Sequence, residues 1–112
     1  MKYNLNYQII WHFYNKESKP LNISITNEMF NVCEINAPDG RIGNRYYTYQ
    51  KPDDLAERLI RHASNENDLI FDPFAGSGTF LIVAAKMNRI AKGCEINKNI
   101  IDIALKRGCA LE

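Results

Sequence analysis

The chain has 112 residues, of which 46% are apolar and 24% charged, and its formal net charge is +1. That length and composition fit one soluble globular domain. They exclude a membrane span, because no apolar stretch approaches the necessary length, and they give no general electrostatic signature of nucleic-acid binding. The opening residues, Met1-Lys2-Tyr3-Asn4-Leu5-Asn6, carry no secretory pattern, so a cytoplasmic location is the default expectation. Cys33, Cys94 and Cys109 are odd in number and widely spaced, which argues against a disulfide framework or a zinc site. Cys33 and Cys94 read as small buried residues of strands. His12 and His62 have no partner at metal-ligand spacing, so no metal site is expected.

In chain order, residues 7–14 and 29–35 read as strands. The break Asn36-Ala37-Pro38-Asp39-Gly40 divides this strand-rich front from a helix, strand and helix rear. The loop from Gly40 to Tyr49 combines Arg41 and Arg45 with three tyrosines. Phosphate contact by either arginine is one reading of it. A solvated loop whose tyrosines pack on the neighbouring sheet is the other. Residues 53–64 form the next helix, with Pro52 suited to its first turn and Asp53 and Asp54 complementing its dipole. Leu55, Leu59, Ile60 and Ala63 make its apolar face.

Residues 69–71 follow a polar cluster and are short and apolar, which predicts a strand buried on both faces as in parallel sheets. The turn Asp72-Pro73-Phe74-Ala75-Gly76-Ser77-Gly78-Thr79 joins that strand to a helix over residues 78–87. Gly76 and Gly78 permit positive φ and leave no Cβ in the way of a bound molecule. The helix start directs unpaired amides and a positive dipole end to the same place, which favours an anionic group. Asp72 sets a carboxylate beside that anion site, which suits a ligand carrying both signs of charge, such as an amino acid.

Two phosphate-binding patterns fail on detail. The nucleotide-triphosphate loop needs Lys-Ser or Lys-Thr after its last glycine, where Thr79-Phe80 stands. The dinucleotide fingerprint needs a small residue where Leu81 stands.

A short strand over residues 90–94 ends in Glu95, and Asn97 caps a helix over residues 98–107. In doubly wound folds an acid ending the second strand, about 20 residues beyond the glycine loop, accepts hydrogen bonds from ribose hydroxyls. Glu95 has that separation from Gly78. A reading in which Asp72 only braces its turn and Glu95 is a solvated loop carboxylate stands beside it. The two acids together with the glycines favour the ligand.

These residues resemble the S-adenosylmethionine-dependent DNA methyltransferases that modify the exocyclic amino group of adenine or cytosine. Asp72-Pro73-Phe74-Ala75-Gly76-Ser77-Gly78-Thr79 resembles their methionine-binding motif, and Gly93-Cys94-Glu95-Ile96-Asn97 their ribose-binding motif. Gln50-Lys51-Pro52-Asp53-Asp54-Leu55-Ala56-Glu57-Arg58-Leu59-Ile60 resembles the Lys-Pro helix that lines the cofactor's methionine end. The resemblance implies S-adenosyl-L-methionine as cofactor, held by Lys51, Pro52, Asp72, Phe74, Ala75, Gly76, Ser77, Gly78, Thr79, Glu95 and Ile96. It also implies DNA as partner of the complete enzyme, with the short recognition insert at Arg41 and Arg45.

The front of the chain resembles the two strands that follow the catalytic region in the permuted subclass of this family. The family's catalytic motif is Asp, Asn or Ser followed by Pro-Pro and an aromatic. Pro20, Pro38, Pro52 and Pro73 include no adjacent pair, so that motif is absent and no catalytic residue is assigned.

The expected fold is therefore α/β, a partial Rossmann-like class I methyltransferase fold lacking the amino-terminal catalytic half. It forms a single partial domain over residues 1–112. Residues 1–36 would be a strand pair, residues 37–51 a loop with the recognition insert, and residues 52–112 the cofactor-binding part. The carboxyl end looks natural for the subclass, although Leu111-Glu112 also suits a cloning remnant. Uncovered strand edges imply a homo-oligomer or a complementing amino-terminal subunit, and no membrane partner. Two other functions fit less of the pattern: a non-catalytic remnant serving as an assembly module, and a fragment of an RNA guanine methyltransferase.

Overall fold

The computed structural model describes residues 7–112, so the first six residues of the expected strand pair lie outside the described residues. The elements that position the site lie in the second half. They are α1 (Asp53–Ala63), β1 (Leu69–Asp72), α2 (Thr79–Lys86), β2 (Ile90–Gly93) and α3 (Lys98–Lys106). Each agrees with the sequence reading to within a residue or two at its ends. Asn97 caps α3 as expected, its side chain accepting from the Asn99 amide at 3.0 Å.

Among the described residues the sheet has two parallel strands, with Leu69 opposite Ile90 and Asp72 opposite Gly93. Helix α2 makes the crossover and packs on the sheet, and α1 packs against α2. The core is the cluster of Ala56, Ile60, Val83 and Ala84, with Ile70, Phe80, Met87 and Ala91 against it. The buried stripe of α1 is thus rotated from the expected one: Ala56 and Ile60 face α2, whereas Ala63 is exposed. Ala56 and Ala84 are both fully buried in this cluster, and small side chains on the two helices favour a close approach there.

Three expectations are corrected. Residues 7–14 and 29–35 form no strand, and Thr26–Met29 is instead a 3₁₀ turn. A strand requires a neighbour to satisfy its ladder, and no described element offers these segments one. For the same reason Cys33 is exposed, and Cys94, just beyond the end of β2, is exposed as well. Finally, β1 is buried on one face only, since Leu69 is 60% and Phe71 58% exposed and no described helix covers that side.

The front segment is held by polar contacts rather than by a sheet. Glu28 accepts from Arg61 Nη1 at 2.8 Å and Nη2 at 2.9 Å and pairs with His62 Nε2 at 2.7 Å. The Asn22 amide donates to the His62 carbonyl at 2.7 Å. His62 is therefore a buried structural side chain. At the far end of α1, Arg89 donates to Ser64 Oγ and to the Ser64 carbonyl, tying α1 to the start of β2.

Candidate cofactor site

The carboxyl ends of β1 and β2 lie side by side, so the turns leaving them face each other, the place where open α/β sheets bind ligands. After β1 the chain turns through Asp72, whose Oδ1 accepts from the Phe74 amide at 3.0 Å. The Ala75 amide donates to the Cys94 carbonyl at 2.8 Å, and the Gly76 amide to Glu95 Oε2 at 2.9 Å. The two motif turns are thus stitched to one another.

Glu95 also accepts from the Asn97 amide through Oε1 at 2.9 Å. The Asn97 amide first, and the Gly76 amide after it, hold this carboxyl below the usual carboxylate range. A carboxylate offers about four lone-pair sites, and two of them are used here, so others are left for hydroxyl donors.

The two glycines do different work. At Gly76, φ is +55° and an added Cβ would meet only the Phe74 carbonyl oxygen at 3.9 Å, so the space beside it is open. At Gly78, φ is +82° and an added Cβ would lie 2.6 Å from Cys109 Sγ and 3.3 Å from Ala104 Cβ. Gly78 therefore makes room for the end of α3, not for a ligand. Gly93 has a similar packing role, since a Cβ there would strike the Asp72 carbonyl oxygen at 2.7 Å.

Ser77 and Thr79 are buried, and their hydroxyls accept from Arg107 Nη1 at 3.0 and 2.9 Å. Their side chains are turned into the protein. What this turn offers outward is the Gly76 surface, the Asp72 carboxylate and the first amides of α2, which have no acceptor within their helix. Phe74 and Ile96 flank the turns at 86% and 98% exposure, two apolar side chains with nothing packed on them among the described residues. Pro52 precedes α1 directly, and the exposed Lys51 donates to Gln8 Oε1 at 2.7 Å. Arg107 lies 3.6 Å from Asp53 and within hydrogen-bonding distance of Ser77, so the start of α1 and the glycine turn are neighbours.

The arginine loop approaches these turns through Tyr46, whose ring centroid lies 5.2 Å from the Arg107 guanidinium carbon. Arg41 is engaged with Asp39, at 2.6 Å for its shortest contact, while Arg45 is exposed and forms no ion pair among the described residues. Gln50, to which the sequence assigned no role in the loop, closes it by accepting from the Tyr46 amide and donating to the Asn44 carbonyl. Arg107 was equally invisible in sequence, where it reads as an ordinary basic residue at a helix end. Among the described residues no cluster of His, Cys, Asp and Glu could hold a metal ion, and no helix is long and apolar enough to cross a membrane.

A family model described as DNA methylase, covering N6 and N4 methyltransferases, matches residues 2–106. The chain is 30% identical over 106 residues to the type II methyltransferase M.HinfI of Haemophilus influenzae, covering 95% of this chain and 28% of that protein. It is 48% identical over 58 residues to the type II methyltransferase M.HpaI of Haemophilus parainfluenzae, covering 52% of this chain and 18% of that one. The crystal structure of the M1.HpyAVI–SAM complex superposes with a TM-score of 0.52 at 37% identity, over 54% of this chain and 31% of that chain. This chain thus spans less than a third of each of these proteins.

Proposed function

The chain belongs to the DNA methylase family, and from that premise we propose that it is the S-adenosylmethionine-binding portion of an enzyme that methylates the exocyclic amino group of adenine or cytosine in DNA. The observation that carries this reading is the junction of the two motif turns, in which the Gly76 amide meets the Glu95 carboxylate at 2.9 Å. That contact puts an open, Cβ-free surface within reach of a carboxylate that still has lone pairs free. An amino acid joined to a ribose needs both.

In this reading Asp72, the Ala75 to Thr79 backbone and the Lys51-Pro52 start of α1 take the methionine end. Glu95 takes the ribose hydroxyls. Phe74 and Ile96 are apolar walls for the rest of the nucleoside. The bound donor supplies an electrophilic methyl group on a sulfonium, and this chain's residues supply position and electrostatics. No Asp-Pro-Pro-aromatic motif occurs in the sequence, so these residues do not hold the target base, and we expect no transfer from the chain alone. A base must leave the stack to reach such a site, and the part of the enzyme that carries the Asp-Pro-Pro-aromatic motif would hold it there. Of the two loop arginines, Arg45 is the better phosphate contact, because Arg41 is already paired.

The open face of the sheet, with Leu69, Phe71 and Ile90 exposed, supports assembly with another copy or with an amino-terminal subunit carrying the missing motif. In this reading residues 37–51, the loop with the recognition insert, bring Arg45 towards DNA and end in the cofactor-binding Lys51, and residues 52–112 serve the cofactor. A cytoplasmic enzyme acting on DNA is the setting these roles require. Titration calorimetry with S-adenosylmethionine tests the core of the reading: heat of binding is expected, and none is the result for a non-catalytic remnant. Mixing the chain with a polypeptide that carries the Asp-Pro-Pro-aromatic motif should restore methyl transfer to DNA and not to RNA.

A further inference from the structure

We infer that Arg107 is the positioning residue that holds the glycine turn in its ligand-accepting shape, an inference that rests on the function proposed above. The Arg107 side chain is only 6% exposed. Its Nη1 donates to the Ser77 carbonyl at 2.9 Å, to Ser77 Oγ at 3.0 Å and to Thr79 Oγ1 at 2.9 Å. Its Nη2 lies 3.6 Å from Asp53 Oδ1, and its guanidinium carbon sits 5.2 Å from the ring centroid of Tyr46. One cation therefore touches the glycine turn, the first residue of α2, the first residue of α1 and the arginine-tyrosine loop.

A cation at a helix end ordinarily serves its own helix by meeting the last carbonyls. The guanidinium of Arg107 donates to none of them; its acceptors all lie on other elements. The peptide it grips is the one most in need of holding. The Ser77–Gly78 peptide turns about the Cα–C bond of Ser77 and the N–Cα bond of Gly78, and Gly78, at φ +82°, has no Cβ to resist that rotation. Arg107 fixes its oxygen, while its N–H donates to the Ala75 carbonyl at 2.9 Å. With both ends of the plane held, the Gly76 surface and the first amides of α2 keep a single orientation. A lysine ammonium lacks the planar fork that reaches these acceptors together with Asp53 and Tyr46.

Because the turn serves the amino-acid end and Glu95 the sugar, Arg107 should affect one end of the ligand and not the other. The test is calorimetric titration of the full chain and of Arg107→Ala and Arg107→Lys with two probes: S-adenosylmethionine, and methylthioadenosine, which has the nucleoside but no amino acid. Arg107→Ala should weaken S-adenosylmethionine about tenfold and change methylthioadenosine by no more than about twofold, with Arg107→Lys in between. Equal losses for both probes, or none for either, would overturn the inference. If Arg107→Ala does not fold, Thr79→Val removes one acceptor with little change of shape and should give a smaller loss of the same selectivity; equal effects on both probes would again overturn it. A parent chain that binds neither probe sinks the function proposed above and this inference with it. A parent that binds both, with variants that lose both alike, sinks this inference alone.

Discussion

The Gly76 amide donates to Glu95 Oε2 at 2.9 Å, across 19 residues of sequence, and thereby joins the turn after β1 to the turn after β2. Two backbone amides orient the Glu95 carboxylate and favour its ionised form, so the sugar of the proposed cofactor would meet a fixed acceptor and not a solvated side chain.

Replacing Glu95 with glutamine should lower S-adenosylmethionine affinity by about tenfold or more, because a charged acceptor of hydroxyls becomes a neutral one. Calorimetry reads the change, and an unaltered affinity would remove Glu95 from the site. The folded-state pKa of Glu95 is depressed, so its contribution is full above the ordinary carboxylate value and is lost only as pH falls below it. Binding in the parent chain should therefore be level from about pH 8 down to about pH 5 where Glu95 alone is concerned.

The two glycines of the turn should respond differently to alanine. Gly78→Ala adds a Cβ 2.6 Å from Cys109 Sγ at φ +82°, and should cost about 2 kcal/mol of stability or more. Adding Cys109→Ala should recover only part of it, since the backbone strain persists. Gly76→Ala, with 3.9 Å of clearance at φ +55°, should cost about 1 kcal/mol while weakening cofactor binding. Thermal melts followed by circular dichroism separate the two; equal losses in melting temperature would contradict the division of roles.

Glu28 gives the front segment an acid-dependent anchor. Hydrogen bonds from Arg61 first, and from His62 after it, lower its pKa from 4.5 to about 2. A depressed carboxyl stabilises the folded state above its unfolded value, and that stabilisation is lost as pH falls from 4.5 towards 2. The Asn22 amide, bonded to the His62 carbonyl, is the reporter. Its hydrogen exchange, corrected for the intrinsic rate, should accelerate across that window, and Glu28→Gln should make it fast already at neutral pH. An exchange rate in Glu28→Gln equal to that of the parent would show that the anchor lies elsewhere.

If the open sheet face is an assembly surface, the chain self-associates until that face is covered. Light scattering should then show a parent species larger than one chain, and Leu69→Glu combined with Phe71→Lys should shift it to a monomer. A tightly folded parent monomer at high dilution would count against self-association.

Much of the second half was legible in the residues because its signals are local. Asn97 announces the start of α3, the polar cluster before Leu69 announces β1, and the glycines between Phe71 and Phe80 announce a turn entering a helix. The front half was misread because a strand is not a local property. Residues 7–14 and 29–35 form none where no neighbour completes their ladder.

By itself the sequence determined the order of strand, glycine turn, helix, strand and acidic turn, since capping, apolar runs and glycine placement act over a few residues. Only the tertiary structure decided that Gly78 yields space to Cys109 and not to a ligand, that Ser77 and Thr79 turn inward, and that Arg107 and Glu28 are the groups that hold separate segments together. Each of those depends on atoms about 30 residues apart in the chain meeting within about 3 Å, a distance set by packing that no spacing of residue types encodes.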